Sequence, residues 1–417
     1  MNGFSSWSRR RRQAVLGGCL AVGVIAGVSI YTAASDDSPR PLNVDFVLGG
    51  GDNVTAKGPE LAIRGQFRGL AVAPDNTTYL FTQDSDDAMV MWRKKPSGPA
   101  ERIQVSGMST SHTATQTAVA PDGSIYLAAK SLWKVSPTGK AREVISQRPC
   151  KKASVSTTSL SDFCAAQITG VTVTKDGTVY IGDQLPRTPY GSYVHKIMGQ
   201  SVELVAGRPP KTGESTRLSD PAVRNGVNPR PATRAKNIVV IDPWNSGALA
   251  PAKDGGLYWK TGPGIVHINE DGTLSPFVAA KSPGKVSEAK GPFDTVGRAL
   301  DAEIPRSSSD TGTDLAVIPG RDEVYYSDSA EPYLPARSGD FGWRGATSDS
   351  QKKLLDESER GAMVHRVSDG KLAPVIAGVQ AIATSEDGLY VAVQSDGGSR
   401  TSPEDWDIAV VRVRLPE

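Results

Sequence analysis

The sequence predicts an all-β fold, a six-bladed β-propeller closed by an N-terminal strand. The main observation is a repeat: six times, a short apolar run meets an acidic or Gly-containing turn and then a second apolar run that contains Tyr. The copies are LAVAPDNTTYLF from Leu70, TAVAPDGSIYLA from Thr117, VTVTKDGTVYIG from Val171, LAPAKDGGLYWK from Leu249, AVIPGRDEVYYS from Ala316 and IATSEDGLYVAV from Ile382. One such unit cannot bury its own apolar face, so the copies must stack, and four-stranded units that stack radially form a propeller.

The composition agrees with this fold and bears on the kind of partner that the protein binds. Aromatic residues make up 6% of the 417-residue chain, and its 43 Gly and 29 Pro are typical of short strands and tight turns. The formal net charge is +2, but the four arginines at 9–12 belong to an N-terminal leader. Removing these 4 from the 47 basic residues leaves 43 against 45 acidic ones. A nearly neutral body gives no indication of a nucleic-acid partner.

The N-terminus predicts export. Residues 14–34 carry no charge, follow the four arginines and are long enough to cross a bilayer as one transmembrane helix of about 20 residues. The basic segment 1–13 then stays in the cytoplasm, and residues 35–41 link the helix to an extracytoplasmic domain, 42–417. The helix is either a retained signal anchor, which its length favours, or a cleaved signal peptide, in which case the domain is secreted.

Each repeat continues with a third strand, and five of them with a fourth, all alternating with period two. The third strands read MVMWRK, SLWKVS, YVHKIM, GIVHIN, MVHRVS and AVVRVR, and the fourth read RIQV, EVIS, VELVAG, LSPFV and APVIAG. The sixth repeat ends after its third strand. The segment LNVDFVLGG, residues 42–50, is similar to a fourth strand but has no repeat before it. We therefore expect it to complete the sixth blade and close the ring.

The repeats resemble those of the NHL family of propellers. The resemblance rests on the DG-x-x-Y cores, on the Asp that ends a second strand at Asp183 and Asp328, on the VAG and IAG endings, and on NPRPATRAK at 228–236. It extends over 42–417 as a pattern, although several repeats lack the Asp. It implies a propeller that binds partners, and it implies no particular activity.

Two cysteines lie in one polar, irregular stretch. Cys150 and Cys164 are 14 residues apart, and export would place them in an oxidising space, so we expect a disulfide. Two free thiols or a metal-binding pair are the alternatives, and no nearby His supports the metal.

Strand order divides the connections into two groups. The turns between strands 1 and 2 and between strands 3 and 4 of each blade are tight and share one face, here called the tight-turn face. The 2-to-3 loops and the connections between blades share the other, the long-loop face. The long segments all belong to the second group: 146–169, 183–192, 206–247, 278–312, 328–361 and 393–407. Long connections are often functional, so we expect the ligand surface on the long-loop face.

The residues just before the first strands should surround the mouth of the central channel on the long-loop face. They are Arg68, Thr115, Thr169, Gly247, Asp314 and Gln380, of which the candidate ligand-binding residues are Arg68, Asp314 and Gln380. Six-bladed lactonase-like propellers hold calcium there with several carboxylates and amides, because calcium takes about six to eight oxygen ligands. This ring has one carboxylate and an arginine that opposes a cation, so we predict no metal and no other cofactor. Arg68 and Asp314 could equally form a structural salt bridge.

Three histidines share one third-strand position. They are His195, His267 and His365, and the other repeats carry Trp92, Trp133 and Arg412 there. A position shared by Trp and His is typical of packing between neighbouring sheets. The histidines also lack the helical spacing of an HExxH zinc site, so we predict no catalytic residue among them.

Two loops combine Arg with large aromatic residues: RTPYGSY at 187–193 and EPYLPARSGDFGWRG at 331–345. Such residues are enriched at the energetic centres of binding surfaces. They equally pack a long loop onto its own scaffold. The candidate partner-binding residues, expected on the long-loop face, are Arg187, Tyr190, Trp343 and Arg344.

These features predict a membrane-anchored, extracytoplasmic binding or sensing module, or scaffold, for an unknown cell-envelope protein or polymer. The alternative is an enzyme, a lyase or hydrolase with its site at the channel mouth. The sequence has no Gly-rich phosphate loop and no serine-hydrolase elbow. A convergent cluster of carboxylates or a tightly held metal at the channel mouth would separate the enzyme from the binding module.

Overall fold

A computed structural model describes most of the chain after Pro41, and strands predominate in it. The described residues are 42–84, 86–108, 114–150, 156–185, 191–214, 220–240, 246–262, 264–279, 291–302, 315–328, 343–358, 362–395 and 406–416. All of them belong to the unit Ser38–Glu417. The predicted all-β class is confirmed.

The first two repeats each form a four-stranded antiparallel sheet whose strands pair in chain order. After β1 (Leu42–Gly49) the strands are β2 (Gln66–Val72), β3 (Thr78–Gln83), β4 (Met89–Lys94), β5 (Ala100–Gln104), then β6 (Gln116–Val119), β7 (Ile125–Ala129), β8 (Ser131–Val135) and β9 (Ala141–Ile145).

The third and fourth repeats follow the same order, and a short strand extends the third sheet to five strands. The strands are β10 (Thr158–Ser159), β11 (Ile168–Val173), β12 (Val179–Leu185), β13 (Gly191–Met198), β14 (Ser201–Ala206), then β15 (Ser246–Pro251), β16 (Leu257–Thr261), β17 (Ile265–Ile268) and β18 (Leu274–Val278).

The acidic residue of the repeated turn has a structural role. In four repeats its carboxylate accepts the backbone N–H two residues later, at 2.9 to 3.2 Å. These residues are Asp75, Asp122, Asp176 and Asp254. Such a side-chain bond closes the tight turn between the first two strands, which explains why the repeat keeps an acid there.

The last two repeats share one nine-stranded sheet. Its strands are β1 with β19 (Gly297–Arg298), β20 (Leu315–Val317), β21 (Glu323–Asp328), β22 (Trp343–Arg344), β23 (Ala362–Ser368), β24 (Lys371–Ser385), β25 (Gly388–Gln394) and β26 (Ile408–Val413). The first part of β24 pairs with β23 and the second part with β25. The sequence predicts a break between these two strands, but the chain runs through without a loop. The described residues thus form five hydrogen-bonded sheets.

The first strand of each repeat contacts the first strands of its neighbours. The contacts run β2–β6, β6–β11, β11–β15, β15–β20, β20–β24 and β24–β2. Between the third and fourth sheets the backbones lie so close that a Cβ on Gly170 would come within 1.7 Å of the Gly247 carbonyl oxygen, which only glycine avoids. This cyclic order of small sheets is consistent with a β-propeller.

The predicted closing strand is confirmed. β1 pairs antiparallel with β26, from Val44 opposite Val413 to Gly49 opposite Ala409. Two arginines, Arg412 of β26 and Arg414 just after it, pair with the carboxylate of Asp45 in β1. The distance from Arg412 Nη2 to Asp45 Oδ2 is 2.9 Å. The first and last strands of the described chain therefore complete one sheet and cover its edge.

Apolar side chains fill the spaces between adjacent sheets. Phe81 and Met91 of the first sheet pack with Leu127 of the second, and all three are fully buried. Trp259 of the fourth sheet packs against Val194 of the third. Burying each such side chain stabilises the fold by about 1.5–3 kcal/mol, so inter-sheet packing is a main stabilising term.

The long segments contain short elements that the sequence did not predict. They are α1 (Pro221–Asn225), α2 (Asp349–Glu357) and two 3₁₀ turns, Ala235–Asn237 and Ala299–Asp301. Ser348 caps the N-terminus of α2, because its hydroxyl accepts the Gln351 N–H at 3.2 Å. The helix buries Leu354 and Leu355 in the core that contains Val44.

The predicted disulfide is confirmed: Cys150 is bonded to Cys164. No helix among the described residues is long and apolar enough to cross a membrane, and the predicted transmembrane helix 14–34 lies outside those residues.

Candidate functional site

Buried polar side chains are concentrated at one end of the inner strands, which are the first and second strands of the repeats. The largest set lies where first strands begin and second strands end, on the long-loop face: Arg68, Thr82, Gln116, Thr169, Asp183, Gln184, Lys260, Thr261, Ser327, Gln394 and Ser395. In the described part of the chain, every buried Arg, Lys or Asp belongs to this set. Burying charge is costly unless it is compensated, so this end is the best candidate for a functional site.

The predicted mouth residues from consecutive repeats lie side by side where they are described. The Thr115 hydroxyl donates to the Thr169 carbonyl oxygen at 2.7 Å. A Cβ on Gly247 would come within 2.1 Å of the Thr169 hydroxyl oxygen. Gln380 is half-buried at an irregularity of β24. Asp314 lies outside the described residues.

Arg68 is 9% exposed and is held by amides of its own sheet. Its Nη2 donates to Gln66 Oε1 at 2.6 Å and also to Gln83 Oε1. The Gln83 amide in turn donates to the Asp87 carboxylate. Burial lowers the pKa of Arg68 and the charge of Asp87 raises it. The predicted Arg68–Asp314 salt bridge falls on a residue outside the described part, so it stays a prediction.

Gln116 forms the floor of this mouth. Its Nε2 donates to the carbonyl oxygens of Leu249 at 2.6 Å and Leu315 at 3.0 Å, and its Oε1 accepts the N–H groups of Val171 at 3.0 Å and Leu249 at 2.9 Å. One side chain on β6 thereby bonds to β11, β15 and β20. Its partners Val171, Leu249 and Leu315 lie one or two residues inward from the mouth positions, so Gln116 lies just below them.

Lys260 places a buried amine at the same end of the fourth sheet. It is 1% exposed, and its Nζ donates to the Ser327 carbonyl oxygen of the next sheet at 3.1 Å. His365 is also buried, and its pKa is lowered to about 4, first by burial and then by the charge of Lys260. His365 is therefore neutral at neutral pH, and it lies within the electrostatic influence of the buried Lys260.

Asp183 is a fully buried carboxyl two residues before the end of β12. Its Oδ1 accepts the backbone N–H groups of Ala166 at 3.1 Å and Gln167 at 3.3 Å, and its Oδ2 has no hydrogen-bond partner in the described residues. Burial raises the pKa of Asp183 to about 7, although the backbone N–H groups act in the opposite direction. Asp183 thus holds the backbone of Ala166 and Gln167, the two residues that precede the first strand of the third sheet.

The three histidines contact aromatic rings, in agreement with a packing role. His267 stacks on Tyr258 at 4.9 Å, and His365 stacks on Tyr326 at 5.1 Å; each Tyr lies opposite its His on the neighbouring strand of the same sheet. His195 meets the ring of Phe163 edge-on at 4.9 Å. The packing is therefore largely within sheets rather than between them.

The predicted placement of Trp343 and Arg344 on the long-loop face is wrong. Trp343 and Arg344 form β22, which pairs in parallel with Leu42 and Asn43 of β1. That end of β1 lies beside the end of β26, at the tight-turn face. Leu354 and Leu355 of α2 bury themselves in the core around β1, which draws the preceding residues there instead of to the long-loop face.

The other two loop candidates, Arg187 and Tyr190, lie outside the described residues. The described residues contain no group of three or more His, Cys, Asp or Glu side chains that could hold a metal ion.

Sequence reasoning missed Gln116 and Lys260. Lys260 had a visible signal, because the other repeats carry a small or apolar residue at its position in the second strand: Phe81, Ala128, Gly182, Ser327 and Ala392. Gln116 had none, since its partners are up to 199 residues away along the chain.

No protein-family model matches the chain, and no curated protein matches it. Solved structures of β-propeller-like proteins resemble it with low identity. Virginiamycin B lyase from Staphylococcus aureus is 9% identical with a TM-score of 0.42, over 85% of this chain and 98% of the lyase.

Two further enzymes show a comparable likeness. A gluconolactonase from Xanthomonas campestris is 11% identical with a TM-score of 0.42, over 90% of this chain and 97% of its own. The PQQ-bound aldose sugar dehydrogenase from Streptomyces coelicolor is 14% identical with a TM-score of 0.44, over 90% of this chain and 100% of its own. Their activities are properties of those enzymes.

Proposed function

We propose that the chain is a six-bladed, NHL-like propeller that binds a cell-envelope protein or polymer at the mouth on the long-loop face. The observation that carries this proposal is the set of buried polar side chains above the Gln116 floor. Buried charged and polar side chains that gather at one end of the strands, rather than facing water, are the kind of arrangement that a ligand site requires.

The number of blades follows from treating β24 as two strands. Its first part completes the sheet of β20, β21 and β23, and its second part begins the sheet of β25, β26 and β1. With the four separate sheets this makes six units. The cyclic contacts among their first strands support a closed ring.

The proposed location is the outer side of a cell membrane. The Cys150–Cys164 disulfide supports an oxidising compartment. The uncharged segment 14–34 after four arginines supports a signal anchor with the propeller outside. Under this proposal the ligand belongs to the cell envelope.

Binding at the mouth can be tested with the full chain in detergent. Wild type and the variants Arg68→Ala and Lys260→Met are immobilised and exposed to solubilised envelope proteins and to soluble cell-wall polymer fragments. Arg142→Ala, on the outer strand β9, is the matched control because Arg142 is exposed. We expect a ligand that wild type and the control retain and the mouth variants lose. Equal retention by all four proteins would place binding elsewhere.

An enzyme at the same mouth is the second candidate, a lyase or hydrolase. The observation that favours it is the neutral imidazole of His365 within the electrostatic influence of the buried, charged Lys260, since a neutral imidazole can act as a general base and an ammonium group as a general acid. The same envelope fractions distinguish the two functions. Product released by wild type but not by Lys260→Met supports the enzyme, whereas retention of an unchanged ligand supports the binding module.

A further inference from the structure

A second recess lies on the tight-turn face, away from the mouth. It encloses about 400 Å³ and is lined mainly by charged side chains: Asp45, Arg321, Asp387, Arg412 and Arg414, with Leu415 beside them. Arg321 and Asp387 lie in the turns between first and second strands of the last two repeats, and Arg412 lies near the end of β26. Three guanidinium groups thus share one cavity with two carboxylates.

Two of the arginines are oriented by the carboxylates. Arg412 donates through Nη1 to Asp387 at 2.8 Å and through Nη2 to Asp45 at 2.9 Å. Arg414 donates to Asp45 through Nε, at 3.0 Å, and through Nη2. Hydrogen bonding from Arg414 lowers the pKa of Asp45, so this carboxylate stays ionised. The pairs hold the guanidinium planes in place and neutralise both carboxylates.

Positive charge remains after this pairing. Arg321 is exposed and forms no ion pair with any residue in the described part of the chain. Arg414 has 64% of its side chain exposed and uses only Nε and Nη2 for Asp45. Among the described residues that line the cavity, three arginines against two aspartates leave a net charge of +1. That charge matches a singly charged oxyanion such as a phosphodiester.

We propose that this recess, here called the arginine recess, binds a phosphate oxyanion between Arg321 and Arg414. A phosphate offers several oxygens to planar guanidinium groups, and it can bind Arg321 without displacing Asp45 from Arg412. The recess includes Asp45, three residues after Leu42, and the sequence places the transmembrane segment shortly before Leu42. The headgroup of an anionic phospholipid is the source that this position favours, and only this choice of source rests on the proposed membrane anchor.

The test uses the full chain in a nonionic detergent and isothermal titration with four soluble probes. They are dihexanoyl phosphatidylglycerol, dihexanoyl phosphatidylcholine, glycerol 1-phosphate and inorganic phosphate. The variants are Arg321→Gln, which breaks no ion pair in the described residues, and the double variant Arg321→Gln with Arg414→Gln. Arg142→Gln is the control, because it removes an exposed arginine from an outer strand.

We expect wild type and the control to bind phosphatidylglycerol, with an affinity that falls as salt increases, and not the zwitterionic lipid. Arg321→Gln should weaken this binding about tenfold, and the double variant should abolish it. Equal binding of inorganic phosphate would keep the oxyanion site and assign it to a soluble phosphate. The proposal is overturned if no probe binds at millimolar concentration, or if both variants bind as wild type does. The outcome is independent of ligand binding at the mouth, which these variants leave intact.

Discussion

The side-chain amide of Gln116 forms a pair of hydrogen bonds with the backbone of Leu249: its Nε2 donates to the Leu249 carbonyl oxygen at 2.6 Å, and its Oε1 accepts the Leu249 N–H at 2.9 Å. The two residues are 133 positions apart and belong to the second and fourth sheets. Through the same amide, Gln116 also bonds to Val171 and Leu315. A single polar side chain thus ties together the inner strands of four repeats.

Replacing Gln116 should destabilise the whole ring. Gln116→Ala leaves the buried N–H groups of Val171 and Leu249 without their partner, and each such group costs about 1–3 kcal/mol. We expect a loss of roughly 2–4 kcal/mol in the free energy of unfolding, measured by chemical denaturation. Gln104→Ala, at an exposed position of β5, is the control and should change it little. Similar denaturation midpoints for the two variants would contradict the bridging role.

Truncation of the closing strand β1 should have a large effect on the stability of the folded chain. Deleting residues 35–48 removes most of β1 and exposes the edge of β26, so we expect aggregation or loss of cooperative unfolding. Asp45→Ala removes only the ion pairs with Arg412 and Arg414, which are partly exposed, and should cost less than about 1 kcal/mol. A truncated protein that melts like the intact chain would show that β26 does not need β1.

The disulfide should contribute to stability. Cys150 packs against the buried cluster that contains Leu185 and Tyr193, and its bond to Cys164 closes a short loop beside the third sheet. Changing both cysteines to Ala should lower the free energy of unfolding by about 3 kcal/mol in the chain-entropy model. Mass spectrometry under non-reducing conditions should find the linked peptide. Full labelling of both thiols in the folded, oxidised protein would rule the bond out.

Asp183 makes stability depend on pH. Its pKa rises from an ordinary 3.8 to about 7 on folding, so the folded state holds an extra proton between these values. Wild type therefore loses stability as the pH rises from 4 to 7, whereas Asp183→Asn has no such group. The variant should gain stability relative to wild type over this interval, on the order of 4 kcal/mol. Denaturation at several pH values measures this, and a constant difference would show that Asp183 stays ionised when buried.

His365 has the opposite dependence. Its pKa falls from 6.5 to about 4 on folding, so the folded state holds fewer protons between these values. Wild type should lose stability as the pH falls from 6.5 to 4, and His365→Gln should gain relative to it by on the order of 3 kcal/mol. If NMR of the folded protein shows the His365 imidazole titrating near 6.5, the expectation fails.

Local patterns determined a large part of this fold. The alternation of apolar residues and the acid of each turn depend on neighbours within a few positions, which is why the strands, the closing segment at Leu42 and the Cys150–Cys164 pair could be predicted from the sequence. Asp75 shows the reason: its carboxylate closes the turn through the N–H of Thr77, two residues away.

The tertiary structure alone decided how these units meet and where the candidate site lies. Two predicted strands, the last of the fifth repeat and the first of the sixth, run on without a loop as β24. The pairing of Trp343 with Leu42 follows from the burial of α2 against the core around β1. The bonds from Gln116 to Leu249 and from Lys260 to Ser327 join residues 133 and 67 positions apart. A contact of that kind depends on where the ring brings two backbones together, and no local period in the sequence records it.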